Sequence, residues 1–523
     1  MTDDAYERAR MALRTNMMRS IITEPLLSRI QGGSREQFDV IIELNEFYRD
    51  GLSGALAVIE QQARRWKVRL GSVSSYVFAR LSADRIRLLA AAAQELAAAN
   101  RRDDAVVHRI WEDSDIAVTL TQSLTTVKAD AAQRAFHALG QGIVWAVLDS
   151  GIAGGHVHFT EKQSVHGTVD TLNIRGPVEH RDYTPDGEAP AATVPSVPAR
   201  GAAASALTDR LGHGSHVAGI IAGHWSTEAP DGLPVVGTEV RDVFTTERDA
   251  AKPVMTRETL SSISGVAPLT KLVSLKVIAD VTRTDDHRQT RGQGKVSWVL
   301  RALEDIQRWN QYGRRLLIHG VNMSLGYDFD PRWFACGQSP ICTEVNRLVK
   351  SGVCVVVSAG NGGYSSYITA AGVEESSYRN LSITDPGNAE LAITVGSTHR
   401  DKPHTYGVSY FSSRGPTGDG RRKPDLLAPG EHIRSCAAGR ERERFGGDAT
   451  ATDTVLYCEQ TGTSMAAAHV SGAAAAFLSV RAEFIGQPER VKALFLNTAI
   501  DLGREPAFQG HGLLDLMKVL QSV

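Results

Sequence analysis

Cysteine and aromatic residues are scarce in this sequence: its 523 residues include five cysteines, and aromatic residues make up 6%. An odd, low number of cysteines does not indicate a disulfide framework. Cys354 lies in an apolar run and is predicted to be a buried free thiol. Cys336 and Cys342 are close enough in sequence to form a disulfide in an oxidising compartment.

An excess of charge of either sign is also missing, since 57 Lys and Arg residues stand against 59 Asp and Glu residues. A protein that mainly binds nucleic acid needs a basic surface to neutralise phosphates, so we expect no nucleic-acid partner. The N-terminus lacks a basic start followed by an apolar run, and no run approaches the roughly 18 apolar residues of a membrane span. We therefore expect a soluble cytoplasmic protein without a membrane partner; a secreted chain trimmed of its signal would look the same.

Apolar residues make up 42% of the chain, which is enough for a sizeable core. Residues 1–37 have a mixed helical pattern and are predicted to form a helical lead. Residues 38–120 combine short apolar stretches suited to strands with two helical segments, of which Ala83–Ala98 is rich in strong helix formers. Helices interleaved with strands in this order predict a small ferredoxin-like α/β unit.

From Gly142 onward, short apolar stretches alternate with helical segments. The predicted strands are Val144–Leu148, Leu272–Val277, Leu316–Met323, Val353–Ser358 and Ala392–Val395. This alternation predicts an α/β fold with a doubly wound, mainly parallel sheet flanked by helices. Polar or Pro-rich stretches near 178–206, 227–262 and 282–293 are predicted to be surface insertions.

Three segments of this region carry residues suited to catalysis. The first is an apolar strand that ends in Asp149, which places a carboxylate at the carboxyl edge of the sheet, where functional residues of such folds lie. An aspartate at a strand end also serves metal binding, ribose binding or capping, so this segment alone leaves those roles open.

The second segment runs from Gly212 to Gly223 and places His213 at the start of a helix of small, apolar residues. Because His216 follows three residues later, a metal pair on one helix face is the competing interpretation. A zinc site would need a third ligand and typically a nearby Glu, and neither occurs in this segment.

The third segment, Gln460–Gly472, places Ser464 at the start of a long helix of small residues. The N-terminus of a helix presents unpaired N–H groups and the positive end of the dipole, so a nucleophile there can hold a developing oxyanion beside it. The structural alternative for Ser464 is an N-cap, a position that serine favours.

In this order, the three segments resemble the subtilisin-like serine proteases, the subtilase family or peptidase S8, whose triad also runs Asp, His, Ser. Further motifs in family order are Gly265–Pro268, Asn322–Gly326, Ser358–Asn361, Phe411–Pro416, Lys423–Gly430 and Gly510–Asp515. With the three segments they cover roughly residues 142 to 516. Ala468 departs from the family pattern, which usually has proline there.

The resemblance implies a serine endopeptidase that hydrolyses protein or peptide substrates. Asp149, His213 and Ser464 would form the triad, and the Asn361 amide with the Ser464 N–H would bind the oxyanion. The chemistry requires no cofactor and no metal; structural calcium is compatible with the family, but its loops cannot be located here. The residues that would line the substrate cleft are Ser324, Leu325, Gly326, Ala359 and Gly360.

The resemblance also gives residues 38–120 a role as an inhibitory prodomain that caps the cleft of a peptidase domain at 121–523. Its last predicted strand, Ile116–Leu120, would lie in the active site, and self-cleavage is predicted between Ile116 and Ser123. The N-terminal domain would then be an intramolecular inhibitor of a zymogen that awaits an activating partner or event. A permanent accessory domain is the alternative.

Two other functions stay open on the sequence alone. A transpeptidase or macrocyclase would use the same acyl-enzyme and pass it to an amine instead of water. A catalytically silent regulatory scaffold would retain the fold without the reaction, although the complete set of site residues argues against it.

Overall fold

A computed structural model describes residues 21–22, 26–27, 30, 37–73, 75–98, 101–112, 122–164, 166–185, 202–226, 235–240, 254–281, 291–328, 332, 335–368, 374–445 and 455–523. The chain divides into two compact units, Met1–Val118 and Thr119–Val523. Each unit has a hydrophobic core of its own.

The N-terminal unit is a four-stranded antiparallel sheet with two helices. Its elements are β1 (Gln37–Leu44), α1 (Gly51–Trp66), β2 (Leu70–Val73), β3 (Tyr76–Ser82), α2 (Ala83–Ala98) and β4 (Val107–Glu112). Alternate residues of β1 are buried, as a strand with one face on the core requires. The sheet order β2-β3-β1-β4, with the chain order β-α-β-β-α-β, is that of a ferredoxin-like sandwich. The predicted strand Ile116–Leu120 lies outside the described residues.

The second unit is larger and contains strands and helices in alternation. Its strands are β5 (Val144–Asp149), β6 (Lys162–Ser164), β7 (Gly167–Val169), β8 (Arg181–Asp182), β9 (His224–Ser226), β10 (Val235–Val240), β11 (Val254–Thr259), β12 (Ser262–Ser264), β13 (Lys271–Lys276), β14 (Ile278–Val281), β15 (Arg291–Gly294), β16 (Gly320–Met323), β17 (Cys354–Ser358), β18 (Tyr364–Ile368), β19 (Glu374–Tyr378), β20 (Ile393–His399), β21 (Leu426–Glu431), β22 (Ile433–Cys436) and β23 (Val455–Gln460). Its helices are α3 (Gln122–Thr126), α4 (Ala129–Phe136), α5 (Ala202–Ala206), α6 (His213–Ile221), α7 (Val296–Trp309), α8 (Pro340–Lys350), α9 (Pro403–Tyr406), α10 (Gly439–Arg444), α11 (Thr463–Val480), α12 (Pro488–Thr498), α13 (Pro506–Gln509) and α14 (Leu516–Gln521).

Seven of these strands form the central sheet in the order β21-β20-β17-β16-β5-β13-β8, and every neighbouring pair is parallel. Residues of α6 and α11 belong to the core on one face of the sheet, and residues of α7 and α8 belong to the core on the other. The predicted doubly wound α/β fold is therefore confirmed.

Each of the three predicted insertions contains all or most of a β-strand among its described residues. Residues 178–185 contribute β8 to the central sheet and bury Val178 and Tyr183. Within 227–262, β10 and β11 pair and join β23 and β22 in a second sheet of order β11-β10-β23-β22. The end of 282–293 forms most of β15, which pairs with β14. These stretches extend sheets because distant segments offer them a partner strand.

Helix α11 is the central core helix. It is 18 residues long with a mean hydropathy of 1.3, so length and composition alone would let it cross a membrane, but 89% of it is buried inside the protein. A helix that is apolar on all sides fits the interior of a large domain. Small residues permit this, since a Cβ on Gly472 would lie 2.6 Å from Cβ of Val266. The five cysteines, including Cys336 and Cys342, are buried free thiols.

Candidate active site

The carboxyl ends of β5, β16 and β17 meet at one edge of the central sheet, together with the first turns of α6 and α11. Asp149 is the last residue of β5 and His213 is the first residue of α6. His213 Nδ1 lies 2.8 Å from Asp149 Oδ1. The Asp149 side chain is 1% exposed and that of His213 is 34% exposed. The carboxylate is therefore buried, while part of the imidazole is open to solvent.

Close backbone packing brings these two residues together. Gly212 caps α6 with a φ of 93°, and a Cβ there would collide with the carbonyl oxygen of Ala438. A Cβ on Gly214 would collide with the carbonyl oxygen of Gly151, two residues after Asp149. Glycine is therefore needed on both sides of His213 for α6 to approach β5.

Two opposing effects determine the pKa of His213. Burial alone would lower it, but the Asp149 carboxylate raises it through its charge and its hydrogen bond, and the net pKa is raised above 6.5. The Oδ1 atom of Asp149 also accepts the Ser150 N–H at 2.7 Å. Its Oδ2 atom has no hydrogen-bond partner among the described residues. The carboxylate thus has capacity left to stabilise a positive charge on the imidazole.

Ser464 lies in the first turn of α11 and is half-buried. Its hydroxyl donates to the Ser324 carbonyl oxygen at 3.3 Å, and the Ser324 hydroxyl donates to the Ser464 carbonyl oxygen at 2.9 Å. The hydroxyl proton is therefore donated to Ser324 and not to His213 in this conformation. Catalytic hydrogen bonds are often loose before substrate binds.

Asn361 lies three residues after β17 with its amide held in one orientation. Its Oδ1 atom accepts both the N–H and the hydroxyl of Thr463 at 2.9 Å. This leaves the Nδ2 donors turned toward Gly462 and the start of α11, where a Cβ on Gly462 would lie 3.3 Å from Nδ2. Thr463 was not predicted from the sequence; a hydroxyl beside the nucleophile in the Gly462-Thr463-Ser464 motif was the available signal.

The predicted cleft residues differ in what their backbones can offer to a substrate. The N–H and carbonyl of Ala359 bond to Val395 and Thr384, and those of Gly360 bond to Thr463 and Ser413. Within the described part of the chain, the backbone groups of Leu325 and Gly326 have no such partners.

Ser324 is buried, and Gly326 is exposed. Leu325 and Gly326 are therefore the residues free to pair with an extended peptide. A Cβ on either Gly326 or Gly360 would lie 2.7 Å from Thr384 Oγ1, so the Thr384 side chain lies between the two segments.

Asp209 is a second buried carboxylate beside the pair, and sequence reasoning did not identify it. It accepts the Ser150 hydroxyl at 2.9 Å, the Gly212 N–H at 2.8 Å, and both the N–H and the hydroxyl of Ser215 at 2.8 and 2.7 Å. Burial raises its pKa. These bonds join the residue after Asp149 to the first turn of α6. An acidic residue shortly before a glycine-started helix was the only signal in the sequence.

His216 lies on the same helix as His213 but points elsewhere. Its Nε2 atom lies 3.0 Å from the Ile433 carbonyl oxygen and 3.2 Å from that of Cys458. Burial lowers its pKa to about 3, so it is neutral. Among the described residues, no group of three or more His, Cys, Asp and Glu side chains could hold a metal ion. The histidine pair therefore does not form a metal site with a third such ligand in that part of the chain.

Comparison with known proteins identifies the family of this chain. A model of the subtilase family matches residues 140–512. The chain belongs to the subtilase family. The matched range contains β5, α6, β16, β17 and the whole of α11, and therefore every residue of the site described above.

Three curated relatives illustrate the extent of the similarity. Serine protease AprX of Bacillus subtilis is 29% identical over 243 residues, which cover 45% of this chain and 47% of that protein. Pyrolysin of Pyrococcus furiosus is 30% identical over 59% of this chain and 21% of its own length. Subtilisin E of Bacillus subtilis is 24% identical over 83% of this chain and 81% of its own. The chain thus spans about half of the first relative and a fifth of the second.

Proposed function

We propose that this subtilase is a serine endopeptidase that hydrolyses peptide bonds of protein substrates through Asp149, His213 and Ser464. The observation that supports this most directly is the 2.8 Å contact between His213 Nδ1 and the buried Asp149 carboxylate. It leaves the other ring nitrogen of a partly exposed imidazole available as a base. The nucleophile, the amide of Asn361 and two unpaired cleft residues lie at the same edge of the sheet.

In the first half of the reaction, Ser464 Oγ rotates away from Ser324 and attacks the scissile carbonyl carbon. A serine hydroxyl is a weak nucleophile, so His213 Nε2 takes its proton as the new C–O bond forms. Asp149 keeps Nδ1 protonated and stabilises the imidazolium. The proton then passes to the leaving amine as the C–N bond breaks.

The oxyanion that forms on the carbonyl oxygen needs donors that are already in place. Asn361 Nδ2 and the Ser464 N–H supply them, because Thr463 holds the other side of the Asn361 amide and the first turn of α11 leaves the Ser464 N–H without an intrahelical partner. Loss of one such donor typically costs about 2.7–4 kcal/mol of transition-state stabilisation. In the second half of the reaction, water attacks the acyl-enzyme with His213 again acting as the base.

We also propose that the N-terminal unit inhibits the peptidase until it is cut off between Ile116 and Ser123, which makes the chain a zymogen. Support comes from its ferredoxin-like topology and its place before the peptidase unit in the chain. A cytoplasmic location, with activation by a partner or event, is part of this proposal.

The test compares wild type with Ser464→Ala by intact mass spectrometry and by cleavage of casein. We expect wild type to shorten itself and to cut casein, and Ser464→Ala to do neither. Ser522→Ala, a change of an exposed serine near the C-terminus, serves as the matched control and should behave as wild type. Wild type that neither cuts casein nor labels with a fluorophosphonate would refute the proposal. Ligation to an added amine at the expense of hydrolysis would favour the transpeptidase alternative.

A further inference from the structure

Three exposed tyrosines form one surface beside the proposed cleft, which we call the tyrosine surface: Tyr364, Tyr378 and Tyr410. They are 39%, 59% and 60% exposed. The ring of Tyr364 lies 5.1 Å from that of Tyr378 and 6.0 Å from that of Tyr410, both in edge-on contact. Contiguous exposed aromatic surface is uncommon on soluble proteins and marks sites of ligand or protein contact.

One of the three rings, Tyr378, packs against a buried cation. The Arg414 guanidinium is buried between the rings of Tyr378 and Phe508, 4.1 and 4.2 Å from their centroids. Burial lowers the pKa of Arg414. This stack connects the end of β19 to α13 and holds the Tyr378 ring against the buried Arg414 side chain. Rigid aromatic side chains lose little conformational entropy when they bind a partner.

The tyrosine surface continues directly from the oxyanion hole. Tyr364 begins β18 only three residues after Asn361, so their Cα atoms are at most about 11 Å apart. The root of the β18–β19 hairpin is bonded to the segment after β20, through Gly363 N–H to the Phe411 carbonyl at 2.8 Å and Gly362 N–H to Ser413 Oγ at 3.0 Å.

The order of strands shows which side of the cleft this is. In the sheet, β17 lies between β16 and β20. Leu325 and Gly326 follow β16, Asn361 follows β17, and Tyr410 follows β20. If the acyl part of a substrate pairs with Leu325 and Gly326, the tyrosine surface lies beyond Asn361, alongside the leaving-group part.

We propose that the tyrosine surface is a substrate subsite that selects a large apolar or aromatic side chain about two or three residues after the scissile bond. An extended chain advances about 3.3 Å per residue, which matches that reach. The charged residues along β19 are of both signs, namely Glu374 and Glu375 before Tyr378 and Arg379 after it, and the rings themselves carry no charge, so the surface suits an uncharged side chain. This inference rests on the proposed endopeptidase activity and names its substrate class.

The experiment measures kcat/KM for internally quenched peptides that differ only in Phe or Ser at the second or third residue after the cut. Active-site concentration is set by fluorophosphonate titration. We expect wild type to favour Phe about 10-fold or more, and Tyr364→Ala with Tyr410→Ala to abolish the preference. Replacement of both by Phe should retain it, and so should Tyr312→Ala, whose ring is 62% exposed in a turn before β16.

The outcomes separate this inference from the function on which it rests. A wild type that labels with fluorophosphonate but cuts both peptides equally would contradict the proposed subsite but not the proposed peptidase activity. A preference for Phe that persists in the variant with both Tyr364→Ala and Tyr410→Ala would also contradict the proposed subsite. A wild type that neither labels nor cuts either peptide would refute the proposed function and the subsite with it.

Discussion

Two hydrogen-bonded pairs of a carboxylate and a basic side chain in the unit Thr119–Val523 differ in what they can do. At the cleft, Asp149 faces a His213 that is one-third exposed, and one carboxylate oxygen has no partner among the described residues. At the amino ends of β20 and β21, Lys423 is 2% exposed and donates to the Ala392 carbonyl at 3.0 Å, to Thr394 Oγ1 at 2.7 Å and to Asp425 Oδ2 at 2.6 Å.

The two pairs differ in how many of their donor and acceptor atoms lack a hydrogen-bond partner. All three donors of Lys423 are occupied, and Asp425 is also paired with Lys492 at 3.2 Å. Burial nevertheless lowers the pKa of Lys423 to about 7. A fully bonded pair of this kind joins the start of β20 to the start of β21, whereas the pair at the cleft keeps a ring nitrogen that can accept a proton from a neighbouring group.

Asp149→Asn should have the largest effect. An amide holds the wrong His213 tautomer and cannot stabilise the imidazolium, so kcat should fall about 10⁴-fold while the fold persists. Peptide hydrolysis and a thermal melt measure the two effects. Asp401→Asn is the matched control, since Asp401 forms a 2.7 Å pair with His399 outside the cleft. Equal losses of activity in both variants would contradict a special role for Asp149.

Lys423→Met should lower stability and leave kcat unchanged. It leaves Asp425 buried with Lys492 as its remaining cation, so the free energy of unfolding should fall by about 3 kcal/mol. At temperatures where the variant stays folded, kcat should match wild type. Urea denaturation followed by fluorescence gives the stability, with the exposed Lys350→Met as the control. A loss of kcat without loss of stability would show that the two pairs do not divide structure from chemistry in this way.

Thr463→Val removes a hydroxyl that orients Asn361 and keeps the shape of the side chain. Asn361 Oδ1 would retain the Thr463 backbone N–H and lose one of two bonds. A bond of this kind is worth about 1 kcal/mol, so kcat should fall about 5-fold with KM unchanged. Thr463→Ser should restore the rate. A change confined to KM would argue for a binding role instead.

The pH dependence should show the smallest effect. The reaction needs neutral His213, and because Asp149 raises its pKa, the acid limb of kcat/KM should have its midpoint above 6.5. The raised pKa also means that the protonated ring stabilises the fold; this contribution is complete below pH 6.5 and is lost as the pH rises through the folded-state pKa. In Asp149→Asn the residual activity should have a lower midpoint. A wild-type midpoint at or below 6.5 would contradict the stabilising role of Asp149.

The sequence alone predicted the central sheet, because buried parallel strands are continuous apolar runs and functional residues follow their carboxyl ends. It also indicated Asp149, His213 and Ser464, since each lies at an identifiable strand or helix end, and the resemblance to the family added Asn361. What it could not predict depends on contacts between distant segments. The orientation of Asn361 is determined by a hydroxyl 102 residues away.

The second sheet and the tyrosine surface were missed for the same reason. Strand β10 pairs with β23, more than two hundred residues later, and no local pattern specifies that partner. The tyrosines at 364, 378 and 410 are unremarkable singly, and only the fold brings their rings into contact. Residues 178–185 and 235–240 contain strands because polar composition does not exclude a strand that pairs with a distant segment.

The burial of α11 has a consequence for how the protein loses activity on heating. Ser464 lies in the first turn of the helix that packs on the central sheet, and most residues of this helix are buried. Amide groups in such an element exchange with solvent only when the whole unit opens. Local fraying therefore cannot displace the nucleophile, and hydrogen exchange of α11 should become fast at the same temperature at which the peptidase is inactivated.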